Sequence, residues 1–209
     1  MKKTLVKICG ITNLHDADAA VRIGADALGF VFYPKSPRYV NVDTARKICK
    51  TIPGNIMKIG VFVNENRDRL ESIYEEGFLD YFQLHGDEDP EYCKNVKGKI
   101  IKSFRIKSDF DSSLLRIFGK CEMFLFDTKT DNNFGGSGKK FDWKLLSALP
   151  RTHPIILAGG LTEKNVGRAI ETLRPDMVDV SSSVESSPGI KDHHKVLRFI
   201  NSCRNTANN

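Results

Sequence analysis

The 209-residue chain has no apolar run approaching the ~20 residues of a bilayer-crossing helix, so no membrane partner is expected. Its five cysteines (Cys9, Cys49, Cys93, Cys121 and Cys203) are odd in number, scattered, and spaced like no metal-ligand set. The expectation is reduced thiols in a cytoplasmic protein with no metal. The opening Met1-Lys-Lys-Thr-Leu-Val resembles the start of a secretory signal, but Lys7 ends the apolar run far too early. No Gly-x-Gly-x-x-Gly turn follows the first strand-like run, whose end reads Cys9-Gly-Ile-Thr12. That argues against a doubly wound dinucleotide-binding sheet. Nor is the excess of base, +6 at neutral pH, gathered into a stripe with interleaved aromatics. Basic residues alternate with acids, as in Asn64-Glu-Asn-Arg-Asp-Arg-Leu-Glu71, a solvated helix face. Nucleic acid is therefore not an expected partner, whereas a small anionic substrate suits the charge.

What is present is alternation. Strand-like runs fall at Leu5–Cys9, Ala27–Phe32, Lys58–Val63, Tyr81–His85, Ile100–Phe104, Met123–Asp127, Ile155–Ala158 and Met177–Ser181. Helical patterns lie between them with polar starts: Asn13 before His15–Ile23, Asn41 before Asp43–Thr51, Asn64 before Arg67–Glu76, and Thr162 before Glu163–Thr172. Gly24, Gly77 and Gly98 mark helix ends. About eight repeats of about 26 residues predict an α/β protein, a single (β/α)₈ TIM barrel over residues 1–209.

The strands divide by face. Val6 and Ile8 oppose Lys7 and Cys9; Phe82 and Leu84 oppose Gln83 and His85. Phe124 and Phe126 oppose Leu125 and Asp127, and Val178 and Val180 oppose Asp179 and Ser181. The apolar face is expected beneath the helices, and the mixed face inside the barrel with its polar groups rising toward the mouth.

Two strand tips carry chemistry. Cys9 closes Thr4-Leu-Val-Lys-Ile-Cys-Gly10 and Asp127 closes Met123-Phe-Leu-Phe-Asp-Thr128. A cysteine alone is more often an inert core residue. Paired with a carboxylate at another strand tip, it is placed as barrel enzymes place a base and an acid. Late in the chain, Ile155-Ile-Leu-Ala-Gly-Gly-Leu-Thr162 and Val178-Asp-Val-Ser-Ser-Ser-Val-Glu185 run from strands into small-residue turns. Loops after strands seven and eight commonly hold phosphate in barrels, so Gly159, Gly160, Ser182 and Ser183 are candidate phosphate contacts. Asp131-Asn-Asn-Phe-Gly-Gly-Ser-Gly-Lys139 has the composition of a flap.

An ordered set of motifs spans nearly the whole chain. It comprises Lys7-Ile-Cys-Gly-Ile-Thr12, Gly29-Phe-Val-Phe, Ser36-Pro-Arg-Tyr-Val40, Gly60-Val-Phe-Val-Asn64 and Gln83-Leu-His-Gly-Asp87. It continues through Phe126-Asp-Thr, Gly135-Gly-Ser-Gly, Phe141-Asp-Trp, Leu157-Ala-Gly-Gly-Leu and Asp179-Val-Ser-Ser. This set resembles the phosphoribosylanthranilate isomerases of tryptophan biosynthesis. The resemblance implies a cofactor-free Amadori rearrangement of a phosphosugar, in a monomer or homodimer. It also implies Cys9 as general base, Asp127 as general acid and Arg38 on the anthranilate carboxylate. Asp179 would meet a ribose hydroxyl, with Gln83 and His85 in the barrel mouth; for His85 a purely structural role fits equally. Lys7, two residues before Cys9 on the same face, could stabilise its thiolate.

Ser183 departs from the pattern, since the family usually carries glycine there. Either its backbone takes the left-handed geometry of that glycine, or it stays ordinary and offers its hydroxyl to phosphate; the second is favoured. A related histidine-biosynthesis isomerase would have aspartate where Cys9 stands. Indole-glycerol-phosphate synthase would need a lysine acid and an added N-terminal segment before strand one. A non-catalytic phosphosugar binder would not need both Cys9 and Asp127.

Overall fold

The computed structural model describes residues 3–106, 110–127, 143, 146 and 149–206. The eight β-rich runs form strands β1 (Leu5–Cys9), β2 (Ala27–Val31), β3 (Met57–Phe62), β4 (Tyr81–Leu84), β5 (Ile100–Arg105), β6 (Met123–Asp127), β7 (Ile155–Ala158) and β8 (Met177–Val180). All pair in parallel in chain order and close into a barrel, with β1 against β8 in the register Lys7↔Asp179. The expected runs match these strands to within a residue at either end.

The period of two sorts the side chains as expected. Val6, Ile8, Phe82, Leu84, Phe124, Phe126, Val178 and Val180 belong to one buried apolar layer between barrel and helices. Leu125 joins Ala27, Ile59, Ile101, Ile156 and Met177 in a separate apolar cluster, contributed by the opposite faces of the strands. That plug closes the lower barrel, and the polar inward residues stand above it.

Helices α1 (Leu14–Ile23), α2 (Val42–Thr51), α3 (Arg67–Glu75), α4 (Pro90–Asn95), α5 (Leu114–Ile117), α6 (Val166–Leu173) and α7 (His193–Asn205) are described between and after the strands. Asn13 and Asn41 cap α1 and α2 as expected, accepting from Asp16 N and Thr44 N. Two starts differ. Asn66, not Asn64, caps α3, because Asn64 has left-handed geometry (φ 50°) and its side chain accepts instead from Asp87 N. The residue before α6 is Asn165, not Thr162. Asn165 Oδ1 accepts from Thr162 N and so braces the loop leading into the helix. The segment 131–139, expected as a flap, lies outside the described residues.

A short hairpin not expected from the sequence follows β8. Strands β9 (Glu185–Ser187) and β10 (Ile190–Lys191) pair antiparallel, with Gly189 left-handed in the turn (φ 84°). Outside the barrel, Lys102 of β5 donates to Glu88 (2.7 Å) and to the Gly86 carbonyl (2.8 Å), and both charged side chains are almost fully buried. Glu88 also accepts from the Asn64 and Gly86 amides. One ion pair thus ties two βα loops to β5.

Removing one partner of a buried pair strands the other charge. Glu88→Ala is expected to lower unfolding free energy by about 3–5 kcal/mol in urea melts. Asp18→Ala, which breaks the exposed Asp18–Arg22 pair on α1, is expected to change it by only about 0.3–0.5 kcal/mol.

Candidate active site

Above the apolar plug, Lys7 rises from the middle of β1 with no solvent exposure. Its ammonium donates to Asp179 (3.0 Å) and to Gln83 Oε1 (2.6 Å). Burial alone would strip the charge, but the Asp179 carboxylate and the Cys9 sulfur together outweigh it and hold Lys7 above the ordinary lysine value. Lysine can only donate, so Gln83 must turn Oε1 toward it and Nε2 toward His85 Nδ1, 2.9 Å away. Nδ1 is then the acceptor, and the imidazole proton sits on Nε2. Nε2 faces Asp127 Oδ2 at 3.6 Å, an electrostatic contact rather than a hydrogen bond.

Cys9 sits one inward position above Lys7, packed with Val31, Val61 and Tyr33. Burial pushes its thiol up, more than the nearby Lys7 ammonium draws it down. Lys7 is thus adjacent to Cys9 as expected and interacts with its sulfur while donating to Gln83 and Asp179, yet burial dominates and the thiol rests protonated. Space for both side chains comes from Gly29 of the neighbouring strand. A Cβ there would lie 2.7 Å from Cys9 Sγ and 3.0 Å from Lys7 Cε. Cys49 and Cys203 lie buried in helices, their thiols pushed up to about 12 by burial.

Arg38 reaches the mouth from the loop after β2. Its Nε and Nη2 donate side by side to Glu185 (2.8 and 2.6 Å), a bidentate fork. Glu185 is buried and also accepts from Lys191 Nζ (2.8 Å). Burial would raise its carboxyl, but the hydrogen bonds from Arg38 and Lys191 outweigh it and hold it low. Arg38 is therefore no loose surface side chain: β9 and β10 hold it. Gly10, left-handed at φ 80°, leaves it room, since a Cβ there would come 2.7 Å from Arg38 Cδ.

The loops after β7 and β8 meet across the same opening. Gly159 and Gly160 are both left-handed (φ 88° and 62°), a conformation that other residues resist. Opposite them, Ser182–Val184 forms one 3₁₀ turn. Ser183 lies in this turn outside the left-handed region, as favoured, and its hydroxyl is engaged within the protein. It donates to the Leu161 carbonyl (2.6 Å) and joins the two loops.

Cys9, Arg38, Gln83, His85, Asp127, Gly159, Gly160, Asp179, Ser182 and Ser183 all line one cavity of about 520 Å³ at the C-terminal ends of the strands. Every candidate site residue is thus brought together. Asp179 lines this cavity, and among the described residues its Oδ1 is buried with no hydrogen-bond partner. Sequence reasoning missed Lys191 and the part played by Glu185. The one available signal was the Pro188-Gly189 turn, which announces a hairpin but not its charge pair.

Barrel enzymes work at this face, and a mouth combining a thiol, carboxylates, an arginine and paired glycines defines the class: a (β/α)₈-barrel enzyme for a small anionic substrate. Comparison with known proteins narrows it. Residues 6–202 match the family model described as N-(5'phosphoribosyl)anthranilate (PRA) isomerase. The chain is 46% identical over 202 residues to an N-(5'-phosphoribosyl)anthranilate isomerase of Pseudomonas fluorescens, covering 96% of each chain. It superposes on the Thermotoga maritima phosphoribosyl anthranilate isomerase crystal structure with a TM-score of 0.89 at 41% identity, over 97% of this chain and 99% of that one. A further solved isomerase, in complex with reduced 1-(o-carboxyphenylamino)-1-deoxyribulose 5-phosphate, gives 0.86 at 38% identity, with the same coverage. The chain belongs to the N-(5'-phosphoribosyl)anthranilate isomerase family.

Gly29→Ala is expected to displace Cys9 or Lys7 and cut kcat at least tenfold, read from initial rates on a variant confirmed folded by circular dichroism. Glu185 generates a pH prediction. Its folded carboxyl lies below the ordinary value of 4.5, so its stabilisation is present above that value and is lost as pH falls through its folded pKa. Glu185→Gln should therefore flatten part of the acid limb of the stability curve below about pH 4.5, measured by thermal melts across pH.

Proposed function

We propose that this chain converts N-(5'-phosphoribosyl)anthranilate to 1-(2-carboxyphenylamino)-1-deoxyribulose 5-phosphate, with Cys9 as base and Asp127 as acid. The observation that carries this is the convergence of Cys9, Asp127, Arg38 and the paired-glycine loop on one cavity.

Asp127 donates a proton to the ribose ring oxygen as the C1'–O bond breaks, leaving a protonated Schiff base between the sugar C1' and the anthranilate nitrogen. That cation acidifies C2', and Cys9 takes the C2' proton to give an enolamine, which tautomerises to the ketone. One proton is given and one taken, as an isomerisation requires. A thiol raised by burial is a poor base at rest, so the S–H proton must first pass to solvent, and the substrate's own positive charge then stabilises the thiolate that takes the C2' proton. His85, neutral in the tautomer that Gln83 imposes, directs its Nε2–H toward Asp127 and orients that carboxyl.

Arg38 binds the anthranilate carboxylate. With Nε and Nη2 held by Glu185, its remaining donors are directed rather than free to swing. Lys191 offsets the Glu185 charge, so a second carboxylate meets net positive potential there. Asp179, on the cavity wall, accepts from a ribose hydroxyl. The phosphate sits between the Gly159–Gly160 turn and the Ser182–Ser183 turn, met by backbone amides because the Ser183 hydroxyl is already committed.

Loss of fluorescence from freshly prepared N-(5'-phosphoribosyl)anthranilate tests this. Cys9→Ala and Asp127→Asn should each lower kcat by about 10²–10⁴-fold while inhibition by inorganic phosphate stays unchanged. Either variant retaining half of the wild-type kcat removes that residue from the chemistry. Cys49→Ala should leave the rate as it was. Arg38→Met should raise KM, the loss of a charge-assisted contact being about 1.5–3 kcal/mol. Weakened phosphate inhibition in that variant would put the arginine at the other end of the substrate.

A further inference from the structure

The βα face carries a second chemical cluster outside the cavity. Asp16, in the first turn of α1, is buried, and its two oxygens are used differently. Oδ2 accepts from the Lys191 amide and from Asn13 Nδ2, both at 2.8 Å. Oδ1 faces two imidazoles, His193 Nε2 at 2.8 Å and His15 Nδ1 at 3.9 Å. His15 and His193 lie 178 positions apart in the chain and meet because α1 and α7 begin side by side, with ring centroids 4.7 Å apart.

We propose that His15, Asp16 and His193 form a binding site for one borderline divalent transition cation of the Zn²⁺, Ni²⁺ or Co²⁺ class. The three donor atoms all lie within 4.8 Å of one another. Ligands at roughly 2.0–2.2 Å from a metal stand about 3.0–3.5 Å apart, so the Asp16–His193 spacing needs almost no change. The His15 ring is exposed apart from its contact with the His193 ring, so it is free to rotate and bring Nδ1 the rest of the way. Two imidazoles and one carboxylate select this class over Mg²⁺ or Ca²⁺, which demand oxygen. Tying the far carboxylate oxygen to a backbone amide and an asparagine is the outer support that metal-ligating carboxylates require. The metal at His193 Nε2 takes the neutral tautomer with its proton on Nδ1. Three protein ligands leave positions for water, as in an accessible rather than a closed site. A bound ion would clamp α1 to α7 and to β10, whose Lys191 bonds Asp16 through its amide and Glu185 through its ammonium.

The test uses untagged, chelator-treated protein titrated with Ni²⁺ by calorimetry and with Co²⁺ by visible absorption. One ion per chain is expected, with affinity falling at least tenfold in both His15→Gln and His193→Gln, and unchanged in His85→Gln. Thermal melts should rise with Ni²⁺ in the wild type and in neither cluster variant. His15 is exposed, so its variant folds and keeps the test valid if His193→Gln does not. No binding by the wild type overturns the proposal, as does binding that survives His15→Gln undiminished. A thiolate-to-cobalt charge-transfer band would place the ion on cysteine and overturn it equally.

Discussion

The pairing of β1 with β8 is the contact on which the rest depends. It joins residues some 170 positions apart and closes the barrel in the register Lys7↔Asp179. A slip of one residue would turn Lys7 and Cys9 out into the apolar layer under the helices and bring Val6 and Ile8 inward. With the register in place, Lys7 meets Asp179, and the Ser181 hydroxyl donates to the Cys9 carbonyl at 3.0 Å. Both sides of the proposed chemistry are aligned by that ladder.

The interior then has to accommodate a lysine. An unpaired ammonium there would be prohibitive, and the structure answers with a carboxylate and an amide oxygen at hydrogen-bond distance. Such a pair contributes little net stability, because desolvation consumes most of the attraction. Its effect is directional. Lys7 forces the Gln83 amide to one orientation, Gln83 forces the His85 tautomer, and His85 addresses Asp127. A fixed charge deep in the barrel thus sets a donor at its mouth through side chains that each have one way to bond. The clamp on Arg38 works alike: a buried carboxylate between two cations restrains the arginine fork and leaves the local charge positive.

How far this was legible varies by residue, for physical reasons. Strands were read to within a residue because the two-residue alternation is strong and strand tips are short of alternatives. Asn64 was a plausible cap, yet Asn66 lies two positions on and competes for the same helix, and only the left-handed backbone at 64 decides between them. Ser183 could be placed in the mouth, but a hydroxyl rotates to whichever acceptor is nearest, and the Leu161 carbonyl comes from a different loop. The β9–β10 hairpin escaped notice because its strands are three and two residues long, below what periodicity can reveal.

The sequence by itself determined the barrel, its strand faces and the identity of the groups at its mouth. These follow from local periodicity, from cap and turn residues, and from an ordered set of motifs, all read over short stretches of chain. Tertiary structure alone decided which groups touch. Lys7 and Gln83, Arg38 and Glu185, Asp16 and His193 are pairs distant in the chain, joined only when eight strands close and the helices settle around them. Protonation and direction belong to that second level, because burial and the nearest partner set them, and neither exists until the chain has folded.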